Sequence, residues 1–155
     1  MPLSEKSQLV QRALEQHHLA LEVVEMSDST RTAQDAAAAV GCEIGQICKS
    51  LIFRSGDTPL LFLVSGKNQL NVARVSAALG FPLEKADAVF TKEKTGFAIG
   101  GIPPLAHASP IATYIDRTLL EYPEIWAAAG TPHAVFKLES RMLLTLTGGK
   151  IIDVL

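Results

Sequence analysis

The chain has 155 residues, of which 48% are hydrophobic and 19% charged, with a formal net charge of −2. That is the composition of a compact chain long enough to bury a core, and it excludes a disordered or low-complexity protein. The slight acidic balance excludes a protein that grips long nucleic acid through many phosphates, because such proteins are basic.

No apolar run approaches the roughly 20 residues of a membrane span. The opening "MPLSEKSQLVQRALEQHHL" alternates charge with Leu and Val and lacks the apolar core of a secretory signal. The expectation is a cytoplasmic chain, one domain over 1–155, that touches neither membrane nor DNA. Cys42 and Cys48 read as reduced structural thiols, and no Cys/His spacing resembles a zinc site. No metal or cofactor is expected.

Residues 4–18 predict an amphipathic helix, with Leu3, Val10, Ala13 and Leu14 on one face and Ser4 or Ser7 as cap. "LALEVVEM" alternates enough for a strand. "SDSTRTAQDAAAAVG" predicts a capped, Ala-rich helix stopped by Gly41. "QICKSLIFR" and "TPLLFLVSG", joined by "SGD", predict a hairpin. "NVARVSAALG" and "LEKADAVFTKEKTG" predict helices ending at Gly80 and Gly96. "FAIGGIPPLAHASP" is too rich in Gly and Pro for regular structure and predicts a shaped loop between a short strand and the strand "IATYID". "EIWAAAG" and "HAVFKLE" predict strands, "SRMLLTLTGG" a helix capped by Ser140, and "KIIDVL" a last strand. Helices and hairpins without strict βαβ alternation favour an α+β fold: a mixed, largely antiparallel, barrel-like sheet flanked by helices.

Two features carry chemistry. In "GFAIGGIPPLAH", Gly100 and Gly101 remove two Cβ atoms at one place, so a ligand can approach bare amides, and Pro103 and Pro104 stiffen the exit. The bland alternative is a tight turn. Lys49 lies inside the apolar run "EIGQICKSLIFR", on the same strand face as Ile47 and Leu51. It is either a solvent-facing lysine whose stem covers the sheet or a cation held for a ligand oxygen. Cys48 points to the opposite face and is rejected as a nucleophile. His17 and His18 read as surface residues. His107 and His133 could each donate a hydrogen bond or move a proton. The dinucleotide, Walker, GxSxG and HExxH patterns are absent.

The order "TAQDAAAAVGCEIGQICKSLIF", "LVSGKNQLN", "TGFAIGGIPPLAH", "AAAG" and "LTGGKIIDV" resembles the YbaK/ProX family, the free-standing relatives of the editing domain inserted in bacterial prolyl-tRNA synthetases. The likeness spans about residues 30–154. It implies hydrolysis of the ester in mischarged aminoacyl-tRNA, with a small non-cognate residue such as Ala, Cys, Ser or Thr on tRNA for proline or a related tRNA. It implies contact with the acceptor end, and delivery by a synthetase or elongation factor is a further expectation. Lys49 matches the family's essential lysine. Gly100 and Gly101 match the loop that meets the aminoacyl carbonyl and ribose. His133 lies near a position where some members carry a functional histidine. His107 matches a family pair in part, with Ala106 in place of the usual Gly. Met26, Thr32, Val64 and Ile102 are expected in the pocket wall, with Pro103 and His107 also near substrate. The alternative is a non-catalytic module that sequesters aminoacyl-tRNA or a nucleotide.

Overall fold

A computed structural model of the chain describes residues 3–155. In order, it contains α1 (Glu5–Gln16), β1 (Val23–Glu25), α2 (Ala33–Val40), β2 (Ile47–Ser55), β3 (Thr58–Ser65), α3 (Val72–Leu79) and β4 (Glu84–Lys85). It continues with α4 (Ala88–Thr95), β5 (Ala112–Asp116), β6 (Glu124–Ala128), β7 (Ala134–Glu139), α5 (Met142–Thr147) and β8 (Lys150–Ile152).

The helix starts follow from capping. Ser4, Thr32, Asn71 and Asp87 each accept a hydrogen bond from a first-turn N–H, a contact that contributes about 1 kcal/mol apiece. Asp87 explains one departure from the sequence expectation. The helix predicted from Leu83 to Gly96 begins only at Ala88, and Glu84–Lys85 instead extend to pair with Arg54 and Phe53 of β2. Ser140 does not cap α5: its hydroxyl donates to the Tyr122 carbonyl. No strand precedes the Gly-Pro loop, which leaves α4 directly.

All eight strands form one mixed sheet in the order β1-β7-β6-β2-β3-β5-β8, with β4 also pairing β2. The β2–β3 hairpin forms as expected, in the register Lys49↔Val64 and Ile52↔Leu61. The pairs β1–β7, β2–β3, β2–β4 and β6–β7 are antiparallel; β2–β6, β3–β5 and β5–β8 are parallel. No ladder joins β1 to β8, so the sheet stays open among the described residues.

Both faces of the central hairpin are buried. On one face Cys48, Ile52, Leu61 and Leu63 join the main core with Val10, Leu14, Phe90 and Leu143. On the other, Phe53, Leu60, Phe62 and Val64 pack with Val75 of α3, while Ile47 packs separately with Ala33, Ala36 and Ala37 of α2. Val64 is therefore fully buried core and not a pocket wall, which corrects its expected role. The physical reason is its position opposite Lys49 on β3, where α3 covers the sheet.

Candidate active site

That division of the second face places Lys49. Its strand neighbours on the same face, Ile47 and Leu51, belong to two separate clusters, one under α2 and one beside α3. Lys49 occupies the gap between them. It is half-buried, and its Nζ donates to the Asn68 carbonyl at 2.5 Å. An ammonium has three donors, so the remaining ones are free for a ligand.

A relay absent from the sequence expectations fixes this geometry. Asp116, at the end of β5, is 2% exposed. Its Oδ2 accepts from the Ser65 amide (3.0 Å) and Asn68 Nδ2 (2.9 Å), and its Oδ1 accepts from the Thr118 amide (2.9 Å). All these bonds run toward the carboxylate, the pattern of an ionised acceptor. Asn68 Nδ2 also donates to Thr118 Oγ1 at 2.9 Å. Asp116 thus holds Asn68, and the Asn68 carbonyl holds Lys49. Burial pulls the Lys49 ammonium below the ordinary lysine range, and the Asp116 charge partly restores it.

Lys49 opens onto a cavity of about 700 Å³ walled by α2, β2, β6 and the loops after β3 and α4. Arg31, Lys49 and Lys67 line it, and no Asp, Glu or His does. A smaller lobe of about 290 Å³ shares Lys49, Ser50, Leu51, Ile99 and Ile102 with it and ends on Lys85, Ala86 and Thr91. Cys48 also reaches the wall, but burial first and the Asp116 charge second push its thiol far up and disfavour the thiolate.

The other expected residues divide. Gly100 lines the cavity at φ +96°, and an added Cβ would lie 2.6 Å from Arg31 Cγ, so the arginine stem packs across it. Ile102 lines both lobes. Thr32 lines the main cavity, but its hydroxyl caps α2. Gly101 does not line it: its amide donates to the Ala98 carbonyl at 3.1 Å and its carbonyl accepts from Gly130. A Cβ at Gly101 would lie 2.8 Å from the Thr131 backbone. Gly101 is there for close packing between two loops. Gly101→Ala is accordingly expected to destabilise the fold by about 1–3 kcal/mol through overpacking, read as a lower urea midpoint.

Met26 and His133 lie outside the cavity wall and bond each other instead, Met26 N–H to the His133 carbonyl at 2.7 Å. The His133 ring is exposed, with Nδ1 3.3 Å from the Asp28 carbonyl oxygen. Pro103 is buried and accepts from His107 Nε2 at 2.7 Å. His107 lines a different cavity, of about 350 Å³, with His17 and Thr147. Burial lowers its pKa, opposed by the Pro103 bond. Ala106 adopts φ +70°, the left-handed conformation that a glycine there would adopt without strain.

The site is a cation-lined cleft set between α2 and the central strands β2 and β6 of the mixed sheet, an arrangement suited to an anionic, oxygen-rich ligand. The chain belongs to the aminoacyl-tRNA editing domain family, whose match covers residues 27–146. It is similar to a solved structure of a candidate trans-editing enzyme for prolyl-tRNA synthetase, at 49% identity over 99% of this chain and 98% of that one, TM-score 0.93. Hypothetical protein APE2540 matches at 28% identity over 94% and 98% of the two chains, TM-score 0.87. The uncharacterized protein YwhH of Bacillus subtilis is 28% identical over 86% of each chain. Among the described residues no helix is long and apolar enough to cross a membrane.

Proposed function

We propose that this chain hydrolyses the ester of mischarged aminoacyl-tRNA, taking the acceptor end into the main cavity. The observation that carries the reading is the charge of the wall. An acidic protein presents Arg31, Lys49 and Lys67 around one cleft and no carboxylate among its lining residues. Such a cleft attracts a local stretch of phosphates and ribose oxygens without gripping long nucleic acid. Family membership and the neighbour concerned with prolyl-tRNA synthetase support the choice of ligand.

The chemistry follows from what the wall offers. Lys49 has donors left for ribose or ester oxygens after bonding Asn68. Gly100 lines the same space, and its amide has no intramolecular acceptor among the described residues. Water adds to the ester carbonyl carbon, and negative charge develops on the carbonyl oxygen, where a fixed cation and amides stabilise it. The carbon–oxygen bond to the ribose then breaks, and the ribose oxygen takes up a proton. No histidine or carboxylate lines the cavity to act as base, so the ribose hydroxyl next to the ester relays the proton from the attacking water to the departing oxygen.

The test is a deacylation panel with the purified chain: tRNAs for proline, alanine and other acceptors, each charged with Ala, Cys, Ser or Thr and supplied in excess. Multiple turnovers on at least one pair are expected. A stop at one equivalent would mean sequestration instead, and no release of any amino acid would refute the hydrolase reading. Adding a synthetase or elongation factor to the same assay tests delivery.

A further inference from the structure

The free edge of β2 holds an arrangement that the cation-based reading leaves unused. The carbonyl of Ile47 accepts from the Gly66 amide, on the β3 side. Residues two apart in a strand send their backbone groups the same way, so Lys49, Leu51 and Phe53 also pair toward β3. The carbonyl of Ile52 accepts from the Ala86 amide, on the opposite edge, at 3.2 Å. Ser50, two residues earlier, therefore turns its N–H and C=O to that opposite edge. There the β6 ladder ends at Cys48↔Ala127, and the β4 ladder begins at Phe53↔Lys85. Ser50 falls in the notch between them and is reached by neither.

Ser50 is half-buried and lines both the main cavity and its side lobe. Its hydroxyl also lacks a partner; among the described residues the buried hydroxyls without one are those of Thr30, Ser50 and Thr91, and all of these residues line this site. Ser50 thus lines the ligand space beside Lys49 with a backbone donor and acceptor that neither ladder reaches, while its hydroxyl, on the Cys48 face, is buried. Strand N–H and C=O groups left outside any ladder are a template for an added extended segment, so this notch offers one residue's worth of pairing to a ligand.

We propose that the main chain of Ser50 receives the amino-acid part of the substrate as a one-residue β-bridge. The Ser50 carbonyl accepts from the α-ammonium, and the Ser50 N–H donates to the ester carbonyl oxygen. In an antiparallel hydrogen-bonded pair, two residues exchange both N–H···O bonds. An aminoacyl ester carries its nitrogen and its carbonyl on one residue and matches that pattern, much as an added strand completes an exposed edge. The bridge fills the role that Gly101 cannot, since the Gly101 amide is bonded to Ala98. It selects α-amino acyl esters as a class and leaves the side chain to be sorted by the cavity. The inference rests on the ester-hydrolase reading above.

The experiment has two arms. Isothermal calorimetry compares 3′-alanylamino-3′-deoxyadenosine with its 3′-propionylamino counterpart, which differs only in lacking the α-amine. The alanyl compound is expected to bind at least about tenfold tighter, the range for a hydrogen bond to a charged group. Equal binding, or binding of neither, overturns the proposal. In the second arm Ser50 is replaced by its α-hydroxy acid through nonsense suppression, which removes the N–H and breaks no ladder bond. A loss of at least about tenfold in kcat is expected, with the thermal melt of the parent retained. If that folded variant keeps parental kcat, the assignment of the N–H is wrong. A variant that melts early defers to the calorimetric arm, which uses the natural chain. Turnover without analogue discrimination sinks the bridge alone; discrimination without turnover sinks the hydrolase reading alone.

Discussion

Lys49→Ala is expected to lower kcat/KM for aminoacyl-ester hydrolysis by at least about a hundredfold, the scale for removing one fixed electrostatic stabiliser from a site. Its fold should survive. Lys49 makes a single intramolecular bond, to the Asn68 carbonyl, and sits half-exposed between two apolar clusters. Truncation leaves that carbonyl open to the cavity, where water reaches it. The melt should therefore stay within about 5 °C of the parent. Lys49→Arg should not restore activity, because a planar guanidinium cannot reproduce a compact ammonium in a gap sized for it. Deacylation by Lys49→Ala at near-parental rate, measured on the best ester of the panel, would remove Lys49 from the mechanism.

Asp116→Asn carries the second large effect, read as a pH profile. The working form of Lys49 is the ammonium, so activity is present below its pKa and lost as pH rises through it. Burial already lowers that pKa, and the Asp116 carboxylate is the charge that opposes the fall. The other charged groups facing the cavity, Arg31, Lys67 and Lys85, are cations and cannot replace it. Removing the carboxylate should move the alkaline limb of kcat/KM to lower pH. The variant should also lose about 1–3 kcal/mol of stability, because an amide cannot accept from Ser65, Asn68 and Thr118 together. A purely structural role for Asp116 would lower the plateau and leave the limb in place. An unmoved limb in a folded variant therefore refutes its coupling to Lys49.

Lys49 was legible because its apolar flanks made a solvent-facing role uneasy and a family pattern paired it with the glycine loop. Asp116 and Asn68 were not. An Asp ending a strand and an Asn in a turn are ordinary in a sequence, and the two come together only because β3 and β5 are parallel neighbours. Arg31 was missed for the same reason: only the fold lays its stem across Gly100. Gly100 and Gly101 look equivalent as letters, yet their surroundings differ. One faces the cavity, and the other is pressed against Thr131 with its amide already bonded. Met26 is expected from motif order and His133 from the family resemblance, and neither carries information about the direction of a side chain.

The sequence by itself determined the local elements. Period-two alternation, Ser and Thr caps, and glycine stops act between residues close in the chain, so the hairpin, the first two helix starts and the irregular loop are read directly, whereas the late start of α4 and the uncapped start of α5 are not. It also determined that a lysine would stand in an apolar strand. Tertiary structure alone decided what surrounds that lysine. The length of the β6 ladder, the late arrival of β4 and the parallel placement of β5 depend on contacts between distant segments. They leave the outer backbone edge of Ser50 between two ladders and bring Asp116 within reach of Asn68. Hydrogen-bond partners across a sheet are chosen by packing of the whole chain, and no local pattern of residues records them.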